Sequence, residues 1–375
     1  MTKKALITMT SAIGFAAVSM ASMTTQQAPI LLQSFKDSDG GWMAFGGAAK
    51  TSVSHEPELT QASAGALRFD YTISKGDFNG LYLPVTIGSW EKAKSVKFRV
   101  HSDAPTVLVV ALQKQDGGRF VSMVSTPKGL WQTVELSTSD FILSQDKDDP
   151  KDPTGKLDMS KVVSVGIADI SQFFLSIDNP VLSGLFDVKK GEHRLYVDSF
   201  TVGSESIPSG FVSQGDDVLI DTLSHPQVSW IGLGGMKIVR ATEPPLSGAA
   251  IRADYHQTPG KPSILSRSVP SWVLIGAKSL TFDVASAKPA KLVVQLEQVD
   301  GGKYNAVVDL PGGSILTKVK LPLSDFKRSD DATDNDTKVH PALLKSLMIM
   351  DASGMLEQAN SDNTLWVNHI AGSGS

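Results

Sequence analysis

The stretch VVALQKQDGGRF at 109–120 returns as VVQLEQVDGGKY at 293–304. Working outward from it, AKSVKFRVHS at 93–102 returns as AKSLTFDVAS at 277–286, and VELSTSDF at 134–141 as VKLPLSDF at 319–326. The paired segments keep their order and lie 184 or 185 residues apart, which chance does not sustain over three matches. The chain is therefore two copies of one domain. DGG in each copy is a tight-turn signal between consecutive antiparallel strands. Val96, Phe98 and Val100 alternate with Lys97, Arg99 and His101, the period of a sheet with one buried face. Many short strands punctuated by Gly and Pro, with no long helical period, give an all-β chain of two tandem antiparallel β-sandwiches. Helix is expected only in short pieces, one of them at 342–345.

The chain has 375 residues, which suits two domains, and either copy is long enough to bury its own core. The boundaries read as 30–203 and 215–372, joined by the short linker GSESIPSGFVSQ, so the domains should lie close together. A balance of 35 basic and 39 acidic side chains carries no electrostatic footprint for nucleic acid or an anionic membrane. With no cysteine there is no disulfide, no thiolate metal site and no cysteine nucleophile. Residues 1–21 read as an export signal: Lys3 and Lys4, an apolar stretch from Ala5 to Val18, then the small-residue site Ser19-Met20-Ala21. It is too short and too rich in Ala, Ser and Thr for a convincing membrane anchor, and no later apolar run approaches the length that spans a bilayer. The expectation is a secreted or periplasmic bacterial protein.

The opening QSFKDSDGGWMAFGG at 33–47, the W-x-x-V-x-L segment closing on SDF at 131–141, LDMSKVVSVGIAD at 157–169 and LYVDSFTVG at 195–203 form an ordered signature. It resembles galactose-binding-like jelly rolls: the family 11 carbohydrate-binding modules and the related domain of the mitochondrial complex I assembly factor family. The resemblance covers the first copy and, more weakly, the second. It implies a jelly-roll fold and is less informative about ligand. It also implies a structural calcium in the first domain, held by Asp198 of the last strand with Asp37 and Asp39 of the opening loop. Oxygen ligands are what calcium needs. The second copy departs from this pattern, since Asn368 replaces Asp198 and SHPQVSW at 224–230 has no acidic loop.

Comparing the copies separates scaffold from site. Trp42 and Trp230, Phe98 and Phe282, Phe120 and Tyr304, Phe141 and Phe326, and Tyr196 and Trp366 match, as a shared core requires. Tyr82, Trp131, Phe173, Phe174 and Phe186 have no clear counterparts, and the last three fall in a segment, 172–192, that is longer than its equivalent. Lys97, Arg99 and His101 share one strand face, readable as a cationic floor or as exposed residues paired with neighbouring strands; Thr281, Asp283 and Ala285 stand in their place in the second copy. Two acidic loops, 146–158 and 329–336, follow the SDF segments without the EF-hand spacing, and read first as solvated loops. No H-E-x-x-H, G-x-S-x-G or phosphate-binding glycine loop is present. The leading expectation is a noncatalytic protein that binds a polysaccharide or other glycan, by ring stacking and hydrogen bonding, through Tyr82, Arg99, His101 and Trp131. The alternative is a structural or interaction module with an envelope or extracellular protein as partner, which the lack of an attached catalytic domain favours. A polysaccharide lyase or hydrolase is the third and weakest reading.

Overall fold

The computed structural model describes residues 28–56, 64–146, 149–152, 154–175, 185 and 188–374. The export signal and Phe186 lie outside them. The first repeat holds β1 (Leu31–Gln33), β2 (Met43–Phe45), β3 (Lys50–Ser54), β4 (Ala66–Ile73), β5 (Gly80–Pro84) and β6 (Ser95–Ser102). It continues through β7 (Thr106–Lys114), β8 (Arg119–Thr126), β9 (Gln132–Ser137), β10 (Ile142–Leu143), β11 (Val162–Asp169), the one-turn helix α1 (Ser171–Phe174) and β12 (Gly191–Gly203). The second repeat holds β13 (Val212–Gln214), β14 (Asp217–Leu219), β15 (Ile231–Leu233), β16 (Lys237–Ala241), β17 (Ala250–Gln257), β18 (Ser263–Ser268) and β19 (Ser279–Ser286). Then come β20 (Ala290–Gln298), β21 (Lys303–Leu310), β22 (Thr317–Pro322), β23 (Lys327–Arg328), β24 (Leu344–Asp351), α2 (Ser353–Leu356) and β25 (Ser361–Ser373).

Four antiparallel sheets make two sandwiches. Sheet A runs β3-β4-β12-β6-β9 with β1 against β12, and sheet B runs β10-β8-β7-β11-β5-β2. Sheet C runs β13-β14-β25-β17-β16, with β19 between β25 and β22, and sheet D runs β15-β18-β24-β20-β21-β23. β13 lies inside the linker read from sequence. The piece expected to be helical at 342–345 is a single 3-10 turn, Pro341–Leu343, after which Leu344 already opens β24. The alternation read in β6 is borne out: Val96, Phe98 and Val100 enter the first core with Leu67 and Phe69 of β4 and Leu108, Val110 and Leu112 of β7. Four of the five matched aromatic pairs are core residues, but Tyr196 and Trp366 lie outside the two main cores. A polar signature also repeats. The buried Tyr71 hydroxyl donates to Asp169 at 2.9 Å, as that of Tyr255 does to Asp351 at 2.6 Å. Burial first, and then the adjacent carboxylate, pushes both phenols above their ordinary range.

The two sandwiches touch, as the short linker leads one to expect. The Ser125 hydroxyl of β8 donates to the Trp230 carbonyl at 2.6 Å. The Gln227 amide exchanges two hydrogen bonds with the Glu135 backbone, at 2.6 and 3.1 Å. At the centre sits Asp140 of the first SDF segment. Its Oδ1 accepts from the Ser209 hydroxyl at 2.7 Å and the Gly210 N–H at 2.8 Å, and its Oδ2 from the Ser137 N–H at 2.8 Å. His225 Nε2 of the second repeat lies 3.4 Å from Oδ2. Burial raises the Asp140 carboxyl, but His225, the Ser209 hydroxyl and the Gly210 N–H outweigh it and hold it below the ordinary carboxylate range. Asp325 of the second SDF segment is exposed. Asp140→Ala, which strands buried N–H donors, is expected to lower stability in chemical denaturation by about 1–3 kcal/mol, whereas Asp325→Ala costs under about 0.5 kcal/mol. The folded-state pKa of Asp140 lies below its unfolded value, so its contribution is complete above about pH 4 and is lost as pH falls through the depressed value. The stability gap to Asp140→Asn should therefore narrow on acidification; a gap that widens would contradict this assignment.

Candidate functional site

The structure divides the residues expected to share one site. Arg99 and His101 project from the outer face of β6 in sheet A, and Trp131 stands just before β9 beside them. The Arg99 guanidinium lies 5.1 Å from the Trp131 ring centroid, and the His101 ring 5.5 Å from Trp131 and 5.9 Å from Tyr196. Arg99 Nη1 also faces the fully buried Asp198 carboxylate of β12 at 3.8 Å, and Lys97 pairs with Glu205 at 3.1 Å. The row is thus not a bare cationic floor: carboxylates face Lys97 and Arg99, and one face of Trp131 meets the guanidinium. Tyr82 lies elsewhere. It points outward from β5 in sheet B, with its neighbours Leu81 and Leu83 in the core. A single site built from Tyr82, Arg99, His101 and Trp131 does not form, because the sandwich core separates the outer faces of its two sheets.

The expected calcium ligands are not gathered either. The carboxylates of Asp37, Asp39 and Asp198 do not all three come within 4.8 Å of one another; Asp300, Asp334 and Asp336 are the one such acidic group among the described residues. Asp37 is exposed and Asp39 half-buried, and Asp39 Oδ1 caps its own turn by accepting from the Gly41 N–H at 3.0 Å. In the second copy, the Asn368 amide that replaces Asp198 donates to the carbonyls of Ser247 at 3.0 Å and Ala249 at 3.3 Å. The trio read from sequence therefore does not fit a calcium ion.

The outward residues of sheets B and D instead line a cleft of about 1620 Å³ between the two sandwiches. Its floor is β7, β8 and β11, where Val109, Ala111, Val121 and Gly166 alternate with core residues and keep the surface low and apolar. One rim is aromatic. The Phe45 ring lies 6.0 Å from Phe78 and 6.2 Å from Tyr82. Gly80 permits this arrangement: a Cβ there would stand 2.5 Å from the Phe45 ring, so any side chain would push the ring away. Phe173 of α1 and Trp272, on the 3-10 turn Ser271–Leu274 of the second repeat, add two more rings. Phe78, Phe173 and Trp272 are 44%, 51% and 41% exposed, so their faces are presented rather than packed away. On the opposite wall, Glu297 is fixed by Lys345 at 3.0 Å and by the Ser346 hydroxyl at 3.0 Å. A concave apolar surface with a few oriented polar groups is the usual form of a ligand site. Of the four expected ligand-binding residues, the cleft contains Tyr82. A usable sequence signal was the run TVLVVAL, apolar on both strand faces, which marks a sheet covered on both sides.

No protein-family model matches the chain, and no curated protein matches it. Among solved structures, a family 11 carbohydrate-binding module from Clostridium thermocellum, in complex with a β-1,3-1,4-mixed-linked tetrasaccharide, is similar at 16% identity. It covers 47% of this chain and 96% of its own, with a TM-score of 0.35. The tandem CBM22-1–CBM22-2 domain of Paenibacillus barcinonensis Xyn10C is similar at 13% identity over 94% of this chain and 99% of its own, with a TM-score of 0.29. The likeness to the complex I assembly factor domain finds no support in these comparisons. The geometry of the Arg99 cluster leads to its own expectation. Arg99→Ala should lower stability by about 1–3 kcal/mol by uncovering a buried carboxylate, and Asp198→Asn in the same chain should recover part of the loss in a double-mutant cycle. Strict additivity of the two substitutions would show that the pair is not coupled.

Proposed function

We propose that this is a secreted, noncatalytic glycan-binding protein whose site is the cleft between sheets B and D. The observation that carries the reading is the set of presented rings, Phe78, Tyr82, Phe173 and Trp272, over an apolar sheet floor in the same cleft as Glu297, Lys345 and Ser346. A pyranose has an apolar face of C–H groups and an equatorial fringe of hydroxyls. Rings take up the first, and charged or hydroxyl side chains take up the second by hydrogen bonding. The cleft is open to solvent and its volume exceeds that of one sugar, which suits a segment of polymer more than a monosaccharide.

A glycan array with polysaccharide pull-downs on the mature chain identifies the class of ligand. Isothermal titration with the selected oligosaccharide then locates the site. Tyr82→Ala and Trp272→Ala should each weaken binding about tenfold, near 1.4 kcal/mol, while Trp131→Ala leaves it unchanged. Loss of binding in Trp131→Ala alone would move the site to the outer face of sheet A. Silence across the array would overturn the glycan reading in favour of an envelope or extracellular protein partner.

A further inference from the structure

The repeats treat one buried position in opposite ways. In the first copy Lys114, at the end of β7, has a fully buried ammonium. It donates to Asp152 Oδ2 at 2.5 Å and to the Lys156 carbonyl at 3.1 Å, and lies 3.5 Å from Asp116 of the DGG turn. The second copy keeps the carboxylates: Asp300 matches Asp116, and Asp334 stands beside Gly302 as Asp152 stands beside Gly118. It adds Asp336, and oxygens of all three lie within 4.8 Å of one another. The ammonium, however, is gone. Its position is taken by Gln298, which brings no charge.

Gln298 is fully buried, and its Oε1 has no hydrogen-bond partner among the described residues, although its Nε2 donates to the His340 carbonyl at 3.4 Å. A buried amide oxygen left without a donor costs free energy comparable to a lost hydrogen bond. That oxygen lies on the side of Asp334, one of the three carboxylates. A point one bond out from Gly302 Cα, where a Cβ would stand, is 2.9 Å from Gln298 Oε1 and 2.8 Å from Asp334 Oδ2. One arginine and two further polar groups lie against the carboxylates. Arg328 Nε donates to Asp334 Oδ1 at 3.1 Å, His340 Nε2 lies 3.1 Å from Asp336 Oδ2, and the Tyr304 hydroxyl donates to Asp334 Oδ2 at 2.6 Å.

We propose that the second domain binds a calcium-sized divalent cation among Asp300, Asp334, Asp336 and Gln298 Oε1, where the first domain inserts the ammonium of Lys114. Three carboxylates from the turn and the loop, two of them exposed, and the buried amide oxygen of β20 leave room for water to complete the six to eight ligands calcium takes, and the irregular set suits calcium better than magnesium, which demands an octahedron. The site is independent of the glycan reading.

The test is a calcium titration of the mature chain, followed by calorimetry and by the shift of its thermal transition, with magnesium as the comparison ion. One calcium per chain and a raised transition are expected in the wild type, with little response to magnesium. Gln298→Lys, which installs the first copy's ammonium, should fold and lose the calcium response; Asp336→Asn, at an exposed position, should weaken it. A wild-type chain indifferent to calcium, or a Gln298→Lys chain that keeps full calcium affinity, would overturn the proposal.

Discussion

The docking of one sandwich on the other rests on a buried carboxylate. Asp140 accepts from the backbone of its own turn and from both Ser209 and Gly210 of the linker, and His225 Nε2 of the second domain lies 3.4 Å from it, so the first domain, the linker and the second domain meet at one point. Such bonds to an ionised acceptor are among the stronger polar contacts a protein makes, and removal of the acceptor leaves several donors buried at once. The cleft follows from this docking, because its floor belongs to sheet B and its far wall to sheet D. Leu185, in the long segment after α1, adds a contact through its carbonyl, which accepts from the Gly234 N–H at 2.7 Å. Neither sandwich alone would have this site.

The repeats show how one scaffold tolerates different polar solutions. The indole N–H of Trp42 donates to Gln33, whereas that of Trp230 donates to Asp221, which the buried Arg267 neutralises. Lys114 becomes Gln298 and Asp198 becomes Asn368. In each case a charge is gained or lost inside the same backbone frame, and the surroundings change with it: Arg267 accompanies Asp221, and the Asn368 amide binds carbonyls. Buried charges are held only with partners, so these exchanges come in sets rather than singly.

The fold was legible because strand alternation and tight turns are local. Val96, Phe98 and Val100 declare their face without reference to any other strand, and the repeat supplies an independent second reading. The site was less legible because alternation says that a residue points outward, not from which sheet. The sequence reading joins Tyr82 and Arg99 in one ligand site of the first domain, yet β5 and β6 belong to opposite sheets. Phe45 and Trp272 were harder still, since one depends on a bare Gly80 beneath it and the other on a domain that arrives across the linker. The acidic loop 329–336 was visible as a charge run, but its relation to Gln298 exists only after the β20–β21 hairpin has folded against it.

The central claim is that the two sandwiches form one fixed body around the cleft. The chain has no cysteine, so Lys128→Cys on the first domain and Lys318→Cys on the second, both exposed, can carry spin labels without competing thiols. Electron–electron dipolar spectroscopy should return a single narrow distance, and Asp140→Ala should broaden it. A broad distribution in the otherwise unchanged chain would mean that the domains move independently and that the cleft is not a built site.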